Sequence, residues 1–157
     1  MQMGQTGRAQ VTAPNTSSQF AAQDADFACA YEIDVASDDH RSSEQWARAA
    51  WEGAPTPLRW FMLIGWRVAL RLRLGPRHSA DHILGWRIVD RPPDETVCTL
   101  DSSFLTAYNT FRHGNERLVW STFVVYERPI ARLIWRPVAL IHRPLVRNAL
   151  RRAQRER

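Results

Sequence analysis

A change of period at Pro129 constrains this chain more than any other feature. Apolar and polar side chains alternate over Phe104–Arg112 and again over Glu116–Glu127, the repeat of strands with one face buried. Gly114-Asn115 between the two runs predicts a two-residue hairpin turn. Pairing across that turn sets Phe111 opposite Leu118, Asn109 opposite Trp120 and Ala107 opposite Thr122. Leu105, Val124 and Tyr126 share this face, which reads as the core face; Thr110, Arg112, Arg117, Ser121 and Glu127 take the other. Past Pro129 the repeat becomes helical. Ile130, Ile134, Val138, Ile141 and Leu145 fall on one side, and Arg132, Arg136, Arg143, Arg147 and Arg151 on the opposite side. Pro137 and Pro144 each remove a helical hydrogen bond, so a kinked or split helix is expected.

The chain before this hairpin supplies the other elements. Asp26–Val35 alternates cleanly, with Phe27, Cys29, Tyr31, Ile33 and Val35 on one face of a strand. Ser42 and Gln45 have capping-box spacing at the start of a helix that Gly53 stops. Thr56 as N-cap with Pro57 behind it predicts a second helix, running to about Leu74 before Gly75-Pro76. Its core stripe is Leu58, Phe61, Met62, Ala69 and Leu72, while Trp60 falls near Arg67 and Arg71. Ile83–Asp90 and Thr96–Asp101 read as two more strands, giving five or more in an antiparallel sheet. The fold class is α+β: that sheet wrapped around a long C-terminal helix, with two helices inserted after the first strand.

The 157 residues suit one domain, assigned to 23–157, behind a polar leader over 1–22 that is read as disordered. The leader has no apolar segment of the secretory kind, and no run is long enough to cross a membrane as a helix. Cys29 and Cys98 are the two cysteines, both on inward positions, which suits free thiols in the cytoplasm. All 21 basic residues are Arg, so lysine chemistry such as Schiff-base formation is excluded. Acidic residues outnumber Arg eight to three before residue 59, whereas residues 128–157 hold nine Arg and one Glu. Such a basic last element suits an anionic surface or a solvated helix face.

The element order resembles the helix-grip fold of the START-like superfamily, which includes Bet v 1-like and polyketide cyclase-like proteins. The resemblance is carried by the strand ADFACAYEIDV, the helices SSEQWARAAWEG and TPLRWFMLIGWRVALRL, the strand HILGWRIVD, the hairpin FLTAYNTFRHGNERLVWSTFVVYERP and the last helix. It covers residues 24–155 and implies a cavity between a curved sheet and that helix. On this resemblance the ligand-binding residues are Trp86, Asn109, Phe111, Trp120, Thr122 and Tyr126 from the sheet, with Ile134 and Val138 from the helix. Ile88, Cys98, Val124 and Ile141 would complete the lining.

Asn109, Thr122 and Tyr126 are the polar groups on the inner face, suited to orienting a ligand or to satisfying one another. His78 and His82 have a ligand-like spacing but straddle a loop, and Asp81-His82 could act as an acid–base pair. His142 lies at the border of the helix's apolar stripe. No nucleophile elbow, phosphate loop, Cys-x-x-Cys pair or inward carboxylate pair is present, so no catalytic residue, metal ligand or cofactor is assigned. The expected role is to hold a small apolar molecule or lipid. The alternatives are a peripheral protein of the inner membrane face acting through its Arg-rich helix, and a cyclase- or hydrolase-like enzyme. A homodimer contact through the second helix is a further expectation. Nucleic acid is disfavoured, because the basic helix comes with no base-reading motif.

Overall fold

The computed structural model describes residues 10–12 and 25–156. Its elements are β1 (Gln10–Thr12), β2 (Phe27–Asp34), α1 (Ser43–Trp51), α2 (Thr56–Ile64), a π-helical turn (Gly65–Ala69), β3 (His78–Ser79), β4 (His82–Ile83), β5 (Trp86–Asp90), β6 (Glu95–Asp101), β7 (Leu105–Gly114), β8 (Arg117–Tyr126) and α3 (Ile130–Arg155). One antiparallel sheet takes all eight strands in the order β1-β2-β8-β7-β6-β5-β4-β3. The α+β class, the long last helix and the two helices after Asp34 are as the sequence predicts.

Local chemistry accounts for most boundaries. Ser42 caps α1 through a full capping box: its hydroxyl accepts from the Gln45 N–H at 3.2 Å, and Gln45 Oε1 accepts from the Ser42 N–H at 2.8 Å. Pro55, not Thr56, is the N-cap of α2. That helix ends at Ile64, ten residues short of the expected end. The following π turn inserts an extra residue per turn, and Arg71 closes it in the left-handed region at φ 49°. Leu70 and Leu72 thereby turn inward, while Arg67 and Val68 face out.

The expected strand Ile83–Asp90 is two strands. Leu84 and Gly85 both have positive φ, forming a two-residue turn that pairs Ile83 with Trp86. With β3 and β1 this raises the strand count from five to eight. β1 falls inside the expected leader and pairs along β2; the rest of that segment lies outside the described residues.

The β7–β8 turn is Asn115-Glu116, at φ 52° and 57°, rather than Gly114-Asn115. Register therefore shifts by two: Phe111 faces Trp120, Asn109 faces Thr122 and Ala107 faces Val124. A slip of two keeps every side chain on its expected face.

One face of the sheet is covered by α1 and α3. α1 meets β6, β7 and α3, and α3 meets β2. The two helices are tied where α3 ends: Arg41 donates to the carbonyls of Ala153 (3.0 Å) and Glu156 (3.2 Å), and Arg152 to that of Ala50 (2.7 Å). Despite Pro137 and Pro144, α3 is one unbroken helix. Both prolines are exposed, so the carbonyls they leave unpaired lie on the open side.

The buried stripe of α3 differs from the expected one. It is Ala131, Trp135, Val146, Ala149, Leu150 and Ala153, a quarter-turn from the aliphatic stripe. Small residues let the helix approach α1 and the sheet closely; the larger aliphatics sit on the shoulder. Ile134, Val138 and Leu145 are half-buried there, and Ile130 and Ile141 are exposed. Between Trp135 and Val146 no residue of α3 is fully buried, and the side chains there leave space over the sheet.

Candidate functional site

The gap under that stretch is a cavity of about 270 Å³. Its floor is Trp86, Ala107, Asn109, Trp120 and Thr122 of the sheet, and its roof is Trp135, Val138, Ile141, His142, Leu145 and Val146 of α3. The π turn supplies Gly65, Trp66 and Ala69, and a Cβ on Gly65 would meet nothing within 4 Å. Phe61 and Ile141 stand at the mouth, each about half exposed (53% and 51%). Among the described residues, none that lines it carries a formal charge at neutral pH.

Trp51 closes the inner end. It stacks on Trp86 (5.3 Å between centroids) and meets Phe111, Trp120 and Trp66 edge-on at 5.2, 5.7 and 6.0 Å. Edge-to-face contacts of this kind add to the stabilisation from buried ring area.

Of the sequence-predicted residues, Trp86, Asn109, Trp120, Thr122 and Val138 meet at this cavity, with Ile141. Phe111 does not line it, because Trp51 and Trp120 cover its ring. Tyr126 is outside as well, at the far end of β8, where its backbone N–H donates to Asp26 Oδ2 at 2.7 Å. Ile134 turns into a separate shallow groove with Val68, Phe104 and Ile130. Ile88, Cys98 and Val124 are core residues away from the cavity.

Sequence reasoning missed Trp51, Trp66, Trp135 and the full part played by His142. His142 could have been found, since it falls between the buried and half-buried stripes of α3. Trp51 could not, because its partners are far apart in the chain.

Trp120, Asn109, Thr122 and His142 form one polar chain that ends on Cys29. Trp120 Nε1 donates to Asn109 Oδ1 at 2.8 Å, and Thr122 Oγ1 donates to the same oxygen at 2.7 Å. Thr122 Oγ1 also meets His142 Nε2 at 3.3 Å, and His142 Nδ1 meets Cys29 Sγ at 3.9 Å. Burial holds the His142 pKa down to about 4, helped by the neighbouring positive charge of Arg143. His142 is therefore neutral at physiological pH. Burial likewise pushes the Cys29 thiol up to about 11 and the Cys98 thiol up to about 12, so neither is a ready nucleophile.

The other candidate groups are engaged elsewhere. Asp81 pairs with Arg91 at 3.3 Å, and His82 Nδ1 bonds to Ser79 Oγ at 2.9 Å, so the two do not form an acid–base pair. His78 bonds to Glu52 at 3.0 Å. Among the described residues no cluster of His, Cys, Asp and Glu could hold a metal ion, and no helix is long and apolar enough to cross a membrane.

Comparison of the chain with protein-family models, curated proteins and solved structures finds no match.

Proposed function

We propose that this chain holds a small apolar molecule in the cavity between its sheet and α3, in the manner of the helix-grip domains whose element order it resembles. The observation that carries this reading is the cavity itself: 270 Å³, apolar, uncharged, with one group of polar side chains. Ligand sites in general have that form. A void of this size is also costly if it stays empty. Water that enters such an apolar space finds few hydrogen-bond partners, which favours an apolar occupant. Native mass spectrometry of freshly purified protein is the test. A bound species of a few hundred daltons or less that leaves on denaturation supports the reading. A bare chain that also fails to bind the neutral dye N-phenyl-1-naphthylamine would rule it out.

A second reading rests on the exposed surface of α2, the π turn and α3. Phe61, Ile64 and Val68 are exposed on one side, and Leu133, Leu140 and Ile141 on α3. Arg67 and Arg71 are exposed along the first stretch and Arg132, Arg136, Arg143 and Arg147 along α3, and none has an acidic partner among the described residues. Apolar groups among unpaired arginines suit the headgroup region of an anionic bilayer, so cargo would enter and leave at the membrane surface. Sedimentation with phosphatidylserine vesicles, lost in high salt and weakened by Arg136→Gln/Arg143→Gln/Arg147→Gln, supports this. Equal binding to phosphatidylcholine vesicles, or none to either, excludes it. A dimer seen by native mass spectrometry at the same concentrations would assign the apolar surface to a second copy instead.

A further inference from the structure

We infer that the molecule held in the cavity presents a neutral hydrogen-bond acceptor, a carbonyl oxygen, to the side-chain amide of Asn109. This rests on the cavity reading and specifies the class of ligand.

The polar chain can be oriented proton by proton. An indole nitrogen can only donate, so the Asn109 atom 2.8 Å from Trp120 Nε1 is the oxygen. The Thr122 hydroxyl gives its one proton to that same oxygen at 2.7 Å. Towards His142 Nε2, 3.3 Å away, Thr122 can then only accept, so Nε2 carries the proton. His142 Nδ1 is therefore bare, and it faces Cys29 Sγ, whose S–H is the donor. Both ring nitrogens are thus engaged within the protein.

What remains is the Asn109 NH₂. Its oxygen is doubly engaged, but no group among the described residues accepts from Nδ2. Asn109 is 3% exposed and lines the cavity, so the space its amide meets is the cavity. The indole N–H groups of Trp86 and Trp135, in the same walls, also lack partners, but they are turned away from the open space and do not meet a ligand there. The hydrogen-bonding capacity that the cavity offers a ligand is therefore the Asn109 NH₂, beside one spare lone pair on Thr122. Donors with no charge match an acceptor with no charge. A carboxylate would enter without a cation, and an alcohol would bring a proton with few places to put it.

Size narrows the class further. A dry apolar cavity of about 150 Å³ holds benzene, so 270 Å³ accommodates a two-ring ketone. The test uses 2-decalone and 2-decalol, which share a skeleton and differ in the oxygen. Each is titrated against N-phenyl-1-naphthylamine bound to the full chain. Decalone should displace the dye at about fivefold lower concentration than decalol, the ratio expected for one hydrogen bond. The infrared carbonyl stretch of bound decalone should lie below its frequency in hexane. In Asn109→Leu the stretch should move back to the hexane value. The wild-type spectrum stands by itself should that variant fail to fold. A bound decalone with a hexane-like stretch, or tighter binding of decalol, overturns the inference and leaves the cavity reading standing. A chain that binds neither dye nor decalone overturns both.

Discussion

Val138→Trp asks whether the space under α3 is real. Val138 is half-buried in the stretch between Trp135 and Val146, and its side chain is part of the cavity roof. Replacing isopropyl by indole adds roughly 100 Å² of apolar surface, worth about 2.5 kcal/mol if fully buried. Fixing the longer side chain costs on the order of 1 kcal/mol in rotamer freedom. With 270 Å³ available, the ring needs no rearrangement of Trp120 or Thr122. The balance is a gain of up to about 1.5 kcal/mol over the parent at full burial, falling towards zero as less of the ring is covered. In a filled core the same change overpacks and costs typically 1–3 kcal/mol. Urea denaturation gives the difference, read as a shift in midpoint at constant m-value. The same samples report dye binding, which should be lost. A destabilisation of about 1–3 kcal/mol or more, with dye binding retained, would show that the dye binds elsewhere and that the space under α3 is closed.

His142 gives a pH test. Its folded pKa of about 4 lies below the ordinary 6.5, so between these values the unfolded chain binds more protons. Its contribution is intact above pH 6.5 and is lost as pH falls towards 4, to a total of up to about 3 kcal/mol. His142→Gln should remove that slope from the stability profile, and an unchanged difference between parent and variant across the window would refute the assignment. Cys29 and Cys98, with their thiols held up to about 11 and about 12, should react slowly with iodoacetamide at pH 8 in the native protein and count as two thiols after denaturation. Fast native labelling of either would contradict their burial. Trp51→Ala should cost about 3–5 kcal/mol, because four aromatic rings lean on it within 6.0 Å; a loss under 1 kcal/mol would mean that the aromatic cluster collapses without it.

The inward positions of Asn109, Trp120 and Thr122 were legible in the sequence because strand parity has a period of two. The turn was misplaced onto Gly114-Asn115, yet the resulting slip of two residues moved partners without turning any side chain over. The α+β class and the capping box of α1 were legible for the same kind of reason: each depends on residues close together in the chain.

What the sequence could not decide is which apolar stripe of α3 faces the sheet. Periodicity ranks stripes by hydrophobicity, and Ile130, Ile134, Val138, Ile141 and Leu145 outrank Ala131, Ala149 and Ala153. Approach distance decides the matter instead, and alanines let the helix lie against α1 where Arg41 and Arg152 tie them together. The same distance effect moved Phe111 out of the site, since Trp51 comes from 60 residues away to cover it. The cavity exists because the end of α3 is buried through small residues while its middle carries no fully buried residue and leaves space over the sheet. That difference in spacing is a property of the assembled layers, and no local pattern in the chain records it.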